Sequence, residues 1–471
     1  MVAKLPPSAE GNWTAESESS PSNTTNNMAL YLRSRESGVS PTAYPGRITR
    51  GIAGYMARRL PGSYGTPRDF DTDGMDKVFA ATWLDDDHVI MGTKCNRVGV
   101  MTIETGRKVW IPLIGSDDNQ VAVSSGSPVE MASPTSSTPI STTVPWLLGS
   151  LERRQADYAS AHGTGIRCMA MNTSCTLIAI GVGKPLGSIQ IYKLPTFEPV
   201  GILHGHRDMV FSLAWVTDTL LVSGARDTTV RTWDIRSLLF RRNSHPHHLS
   251  TLHKLRSRSA LSVHSKILRP STTFREHRGK VRDMQYSAPL AHLATLSTDG
   301  YVKLWDARQM RVGTAIPLRY TEETCCLAMS NTQHTSAPLY AVGSAHKISV
   351  LDSRAKDVVL TFDSLDDGWG VRSLLFDDTV LTVGGGKGRI SFYDLRMPAY
   401  ISWNNDKTGS EALNYLDTGP GYLLRDDVYE ENFGGHELKN AVYVLAKRNT
   451  RLFAAGGPLQ MSLRGSYAAI W

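Results

Sequence analysis

Cysteine is scarce in this chain: Cys95, Cys168, Cys175, Cys325 and Cys326 are the only five in 471 residues. None belongs to a CxxC pair or stands at ligand spacing to a histidine, which argues against a disulfide framework and against structural zinc. Long apolar runs are missing as well. No stretch of about 18 apolar residues is present to cross a bilayer. The opening MVAKLPPSAEGNW lacks the apolar core of a secretory signal. The expectation is a soluble intracellular protein with no membrane partner, in which the sequons at Asn12, Asn23 and Asn172 are chance matches. Catalytic signatures are absent too: no GxSxG, HExxH or kinase set occurs. The glycine-rich run at residues 384–388 contains Lys387 but not the Walker spacing, and no helical pattern follows it. It aligns with Gly92-Thr93-Lys94, Gly224-Ala225-Arg226 and Gly343-Ser344-Ala345, so it reads as a turn between a second and a third strand. His245, His247 and His248 cluster without a cysteine or an ordered frame. These absences predict neither enzyme activity, nor a cofactor, nor a metal.

What is present is a repeat. Residues 206–236 read HRDMVFSLAWVTDTLLVSGARDTTVRTWDIR. Short apolar runs alternate with period two and are broken by Asp, Gly and Thr turns, the pattern of antiparallel strands. A histidine near the start and Trp-Asp at the end of a unit of about 40 residues is the WD-repeat signature of a propeller blade. His206, Ser223, Asp227 and Trp233 stand at offsets that allow one chain of hydrogen bonds, and buried polar groups need such partners. His277, Thr295, Asp299 and Trp305 repeat the set. Further units read from 77–113, 166–203, 280–318, 323–362, 371 onward, and the end of the chain. The fold class is therefore all-β, a seven-bladed WD-repeat β-propeller; degenerate repeats also accommodate six or eight blades. The last unit has three strand-like runs, and residues 68–71 are the expected fourth strand, closing the ring and removing two sheet edges.

Around the ring, residues 1–27 are rich in Ser, Asn, Thr, Glu and Pro and are expected to be disordered. Residues 28–64 carry two short helical patterns, a helix–loop–helix arm ending at Pro61-Gly62. The propeller spans 65–471, interrupted by a Ser/Thr/Pro-rich insertion at 115–162 and a basic, His-rich one at 238–273, both expected to be flexible. The acidic stretch RDDVYEENFGGHE reads as a solvated loop.

The balance of 51 Lys+Arg against 44 Asp+Glu, net +7, favours an acidic partner without naming nucleic acid. Two constellations localise it. Third strands end in Asp234/Arg236, Asp306/Arg308, Asp352/Arg354 and Asp394/Arg396, two of them full WDxR boxes, which makes a basic arc on one rim. The plainer reading is an Asp–Arg pair tying off each strand. At the other end, Lys77, Arg167, Lys280, Arg282 and Arg372 stand at the start of innermost strands, with Lys94 and Arg226 in turns on the same rim. Spacing i, i+2 places Lys280 and Arg282 on one strand face. Seven cations around one mouth focus potential for an anion, where arginines supply forked bonds to carboxylate or phosphate. The plainer reading is local pairing or solvation in a wide channel.

Residues 77–96 (KVFAATWLDDDHVIMGTKCN), 222–227 (VSGARD), 340–354 (YAVGSAHKISVLDSR) and 453–471 (FAAGGPLQMSLRGSYAAIW) carry a resemblance. The chain resembles the WD-repeat factors associated with the damage-specific DNA-binding adaptor and cullin-four, in the family of the twelfth such factor. These are substrate receptors of a RING-type ubiquitin ligase. The resemblance implies that the arm and the WDxR face dock on the adaptor, the large subunit of the damage-specific DNA-binding protein. It implies that Lys77, Lys94, Arg226, Lys280, Arg282 and Arg372 read substrate C-termini ending in acidic residues, notably twin glutamates. Arg167 is not part of that pattern. The resemblance further implies a cytoplasmic and nuclear protein, although the tail lacks a basic import cluster and the 115–162 insertion departs from the family. The rival reading is a scaffold or reader that takes nucleic acid or phosphopeptide at the same mouth.

Overall fold

The computed structural model describes residues 57–114, 165–239, 266–330, 338–366, 368–403, 415–434, 436 and 438–471. The expected tail, most of the arm, the 115–162 insertion and the histidine cluster lie outside the described residues. Seven sheets form the rest. Blade one is built from Val78–Trp83, His88–Thr93, Val98–Thr102 and Lys108–Ile111, and blade two from Cys168–Met171, Leu177–Val182, Ser188–Lys193 and Pro199–His204. The innermost strands of the next five blades are Val210–Trp215, Val281–Ser287, Cys326–Met329, Val371–Asp377 and Asn440–Arg448. Each packs beside the innermost strand of the following blade, and the last returns to the first. This ring of inner strands lines a central channel.

The core follows from the alternation. Each sheet buries both faces against its neighbours, so clusters form between blades. Leu203, Val210, Trp215, Leu221 and Trp233 join blades two and three, and Val222, Val281, Met284 and Trp305 join three and four. Glycine lets the blades approach. An added Cβ would meet Ile166 Cγ2 at 2.4 Å from Gly92, Val281 Cγ1 at 2.4 Å from Gly224 and Val371 Cγ1 at 2.6 Å from Gly343. These glycines stand at the ends of second strands, and the turn expected at 384–388 follows directly, Gly386–Gly388 lying between Val380–Gly385 and Arg389–Asp394. What Gly92, Gly224 and Gly343 supply is space for the next blade, rather than a turn conformation.

The polar set locks two blades. Trp233 Nε1 donates to Ser223 Oγ at 2.8 Å, Ser223 Oγ lies 2.7 Å from His206 Nε2, and His206 Nδ1 faces Asp227 Oδ2 at 3.0 Å. The tryptophan occupies one acceptor site of the serine, so the serine hydroxyl donates to the imidazole and Nδ1–H donates to the aspartate. Blade four repeats the chain through Trp305, Thr295, His277 and Asp299 at 2.9, 2.8 and 2.9 Å.

Closure occurs where the last blade lacks an outer strand. Arg68–Asp69 pairs antiparallel with Gly465–Ile470, Arg68 opposite Ile470 and Asp69 opposite Ala469. Thr72 Oγ1 donates to Ser466 O at 3.1 Å and Ser466 Oγ returns a bond to Thr72 O at 3.0 Å. The visible end of the arm, helical at residues 57–59, lies on the propeller itself. Ala57, Leu60 and Tyr64 pack with Phe392, Trp403 and Leu452 between blades six and seven, and Arg58 reaches Asp394 at 3.6 Å.

Two expectations need correction. The second insertion is not wholly without structure, because residues 266–273 return to the sheets. Ile267–Leu268 adds a parallel strand to the outer edge of blade two, and Thr272–Phe274 is the fourth strand of blade three. The acidic stretch is not a loop either, since Asp427–Phe433 is helical. Asp426 caps it by accepting the Tyr429 N–H at 3.1 Å, Asp427 and Glu430 stand in the first turn where the helix dipole favours negative charge, and Tyr429 is buried.

Candidate functional site

The inner strands do not alternate strictly where they enter the channel. Register shifts stand between Val78 and Ala80, Val210 and Ser212, Val281 and Asp283, Val371 and Ser373, and Val442 and Val444. Each is a β-bulge, which re-aims the extra side chain. The residues re-aimed are Phe79, Phe211, Arg282, Arg372 and Tyr443. Arg167 and Cys325 take the same position just before the inner strands of blades two and five. These seven, one from each blade, line a cavity of about 1010 Å³. The ring therefore reads Phe79, Arg167, Phe211, Arg282, Cys325, Arg372, Tyr443.

Aromatic residues hold the cations flat. The Arg167 guanidinium carbon stands 3.7 Å from the centre of the Phe79 ring, and that of Arg282 stands 4.5 Å from Phe211. Phe79 meets Tyr443 edge-on at 5.0 Å. Burial pulls the Arg167 pKa down to about 10, helped by the charge of Arg282. Arg372 instead has protein partners: its Nη2 donates to Glu323 Oε2 at 2.7 Å and to the Trp369 carbonyl at 3.0 Å. Burial works against its charge, yet the facing Cys325 and Glu323 hold its pKa above the ordinary value. The Cys325 thiol is pulled down by its hydrogen bond with Cys326, with further help from Arg282 and Arg372, while Cys326 is driven well up.

The other expected cations sit elsewhere. Lys77 is fully buried, bonds the Leu463 carbonyl, lies 3.5 Å from Asp76 Oδ1, and has its pKa pushed down to about 8 by burial. Lys94 donates to the Met461 carbonyl at 2.7 Å and faces Asp76 Oδ2 at 3.4 Å. The two lysines thus clasp the 459–464 turn that brings Gln460 and Met461 to the cavity wall. Lys94 itself borders a neighbouring cleft of about 350 Å³ with Asp76 and Arg464. Arg226 is half-exposed and lies 3.6 Å from Asp208. Lys280 is exposed on the rim and is not among the cavity-lining residues, whereas Arg282 is. Lys280 and Arg282 do not share a strand face, because the bulge between Val281 and Asp283 intervenes. The structure therefore gathers Arg282, Arg372 and Arg167 in one cavity, with Lys77 and Lys94 one layer behind. Sequence reasoning missed Phe79, Phe211, Cys325 and Tyr443. The signal was there: in all seven blades the ring residue follows a buried β-branched residue, as in Val78-Phe79, Ile166-Arg167, Val281-Arg282 and Thr324-Cys325.

On the opposite rim every Asp–Arg box makes the same turn. Asp234, Asp306, Asp352 and Asp394 accept the backbone N–H of Arg236, Arg308, Arg354 and Arg396 at 3.1, 2.8, 2.8 and 2.8 Å. Arg236 also forks back to Asp234, its Nε 2.9 Å from both oxygens. Metal sites do not emerge: among the described residues no cluster of His, Cys, Asp or Glu has the shape to hold an ion. No helix among them is long and apolar enough to cross a membrane.

The family described as DDB1- and CUL4-associated factor 12 beta propeller matches residues 65–133 and 140–471. The chain belongs to this family. It is accordingly a β-propeller of a family described by its association with DDB1 and CUL4. A curated relative, restriction of telomere capping protein 1 of Clavispora lusitaniae, is 33% identical over 75 residues, 15% of this chain and 6% of that protein's length. The solved structure titled U3-55K covers 86% of this chain and 98% of its own at 13% identity and a TM-score of 0.53, a likeness of fold alone.

Proposed function

We propose that this receptor takes the acidic C-termini of substrate proteins, Glu-Glu endings above all, into the channel mouth and holds them for ubiquitination by a ligase docked on the opposite rim. The observation that carries this is the charge of the mouth. Arg167 and Arg282 face one cavity with no protein carboxylate paired to either side chain among the described residues, Arg372 joins them, and Lys280 and Arg226 stand on the rim. Charge-assisted forked bonds are the strong kind, and a walled channel focuses the field that draws an anion in. A peptide ending in Glu-Glu brings three negative charges within a few ångströms. The receptor performs no bond chemistry; proximity to the charged ubiquitin carrier raises effective concentration. The Asp–Arg rim is the proposed adaptor face.

The experiment is a titration of one fluorescent peptide ending in Glu-Glu, as free acid and as C-terminal amide, at fixed ionic strength. The free acid binds roughly tenfold tighter or better, since leaving a buried charge unpaired costs about 2–5 kcal/mol. Affinity also falls with salt. Equal affinities for acid and amide would return the mouth to a generic anion site, as for a nucleic-acid or phosphopeptide reader.

A further inference from the structure

We infer that Arg167 is a specificity-determining residue of this receptor: with Arg282 it forms a two-guanidinium clamp inside the channel that grips the terminal carboxylate of the bound tail. The inference deepens the reading of the mouth as a socket for acidic C-termini and rests on it.

Three observations converge. First, neither guanidinium has an acceptor: the Arg167 and Arg282 side chains make no hydrogen bond or ion pair among the described residues, and the Arg167 Nε is a solvent-shielded donor without a partner. Native folds leave few buried donors unsatisfied, so such a group calls for an acceptor the chain does not supply. Second, both forks are oriented in advance. Arg167 lies on Phe79 at 3.7 Å and Arg282 on Phe211 at 4.5 Å, so each guanidinium rests on the ring of the preceding blade. Stacking occupies the face of a guanidinium and leaves its N–H edge for a carboxylate. Third, the other buried cations are already engaged. Lys77 and Lys94 hold Asp76 and the 459–464 turn, and Arg372 holds Glu323 and the Trp369 carbonyl through its Nη2, although its Nε is also a shielded donor without a partner. The two like charges repel one another across Phe211, and a carboxylate placed between them relieves both. A lysine at position 167 would keep the charge but could neither fork nor lie flat.

The test uses the full chain and the same labelled peptide, as acid and as amide, against wild type, Arg167→Gln, Arg167→Lys and Phe79→Leu. Thermal melting of each variant checks that it is folded. The free acid should lose roughly tenfold or more in affinity with either Arg167 variant, while the amide is bound alike by all. Phe79→Leu, which removes the stack and leaves the charge, should weaken the acid in the same direction. If Arg167→Gln does not fold, the lysine variant and Phe79→Leu decide the matter. Wild-type affinity for the acid in Arg167→Lys would overturn the clamp, and as long as wild type still preferred acid to amide the mouth reading would stand. A wild type indifferent to the terminal carboxylate would overturn both.

Discussion

Arg372 differs from the other two channel arginines in having a protein carboxylate on it. Glu323 stands at φ 51°, the left-handed region that non-glycine residues seldom enter, and the turn delivers its carboxylate to Arg372 at 2.7 Å. A resident glutamate on a site proposed for glutamates acts as a competitor of the incoming tail. Glu323→Gln removes that competitor and one opposing charge, so a Glu-Glu free-acid peptide should bind several-fold tighter. Calorimetric titration of the variant beside wild type measures this. Unchanged or weaker binding would show that Glu323 instead positions Arg372. None of this pairing was legible beforehand, because Glu323 and Arg372 belong to different blades and no spacing rule links them.

The repeated turn after each third strand separates what the Asp–Arg box does for the fold from what it leaves exposed. The aspartate accepts a backbone N–H, a bond independent of the side chain at the arginine position. The Arg236 side chain is 67% exposed. Charge reversal of Arg236 and Arg308 together should therefore leave the melting temperature nearly unchanged while abolishing co-purification of the adaptor. A well-folded double variant that retained the adaptor would remove this rim from the interface. Elements with repeat signatures were readable in the chain. The helix Asp427–Phe433 was not, because its acidic composition imitates a solvated loop; Asp426 three residues before Tyr429 was the capping signal that composition obscured.

The molecule as a whole should respond to acid in two stages. Burial holds His206 and His277 below their unfolded value of 6.5, so each binds a proton more readily when unfolded. Their contribution is fully present above 6.5 and is lost as pH falls from there. Asp283 has the opposite sign. Burial pushes it up to about 7 from 3.8, so it binds a proton more readily when folded, and its contribution grows as pH falls through that window. Burial alone would raise Asp227 and Asp299 as well, but hydrogen bonds from the histidines and neighbouring N–H groups hold both below 3.8. Their contribution is lost only at lower pH. Between about pH 7 and 4 the urea midpoint should fall less than the histidines alone would make it fall, then drop steeply. Asp283→Asn should move the onset of the drop up toward 6.5. A wild-type midpoint that had already collapsed at about pH 5 would contradict the offset.

The sequence by itself determined the blades and the closing strand, because period-two alternation, the WD boxes and an incomplete last unit are local properties of the chain; the count, open to six or eight in the degenerate repeats, was settled by the seven sheets. The tertiary structure alone decided which cations share a cavity. A bulge breaks the alternation at each channel entrance, so Arg282 turns inward while Lys280, two residues earlier, stays on the rim. Lys77 and Lys94 are engaged by carbonyls of Leu463 and Met461, at the far end of the chain. Arg167 gains its place from Phe79 in the preceding blade. Alternation can be read along one strand, but pairing between blades is set by ring closure, which brings together residues hundreds of positions apart.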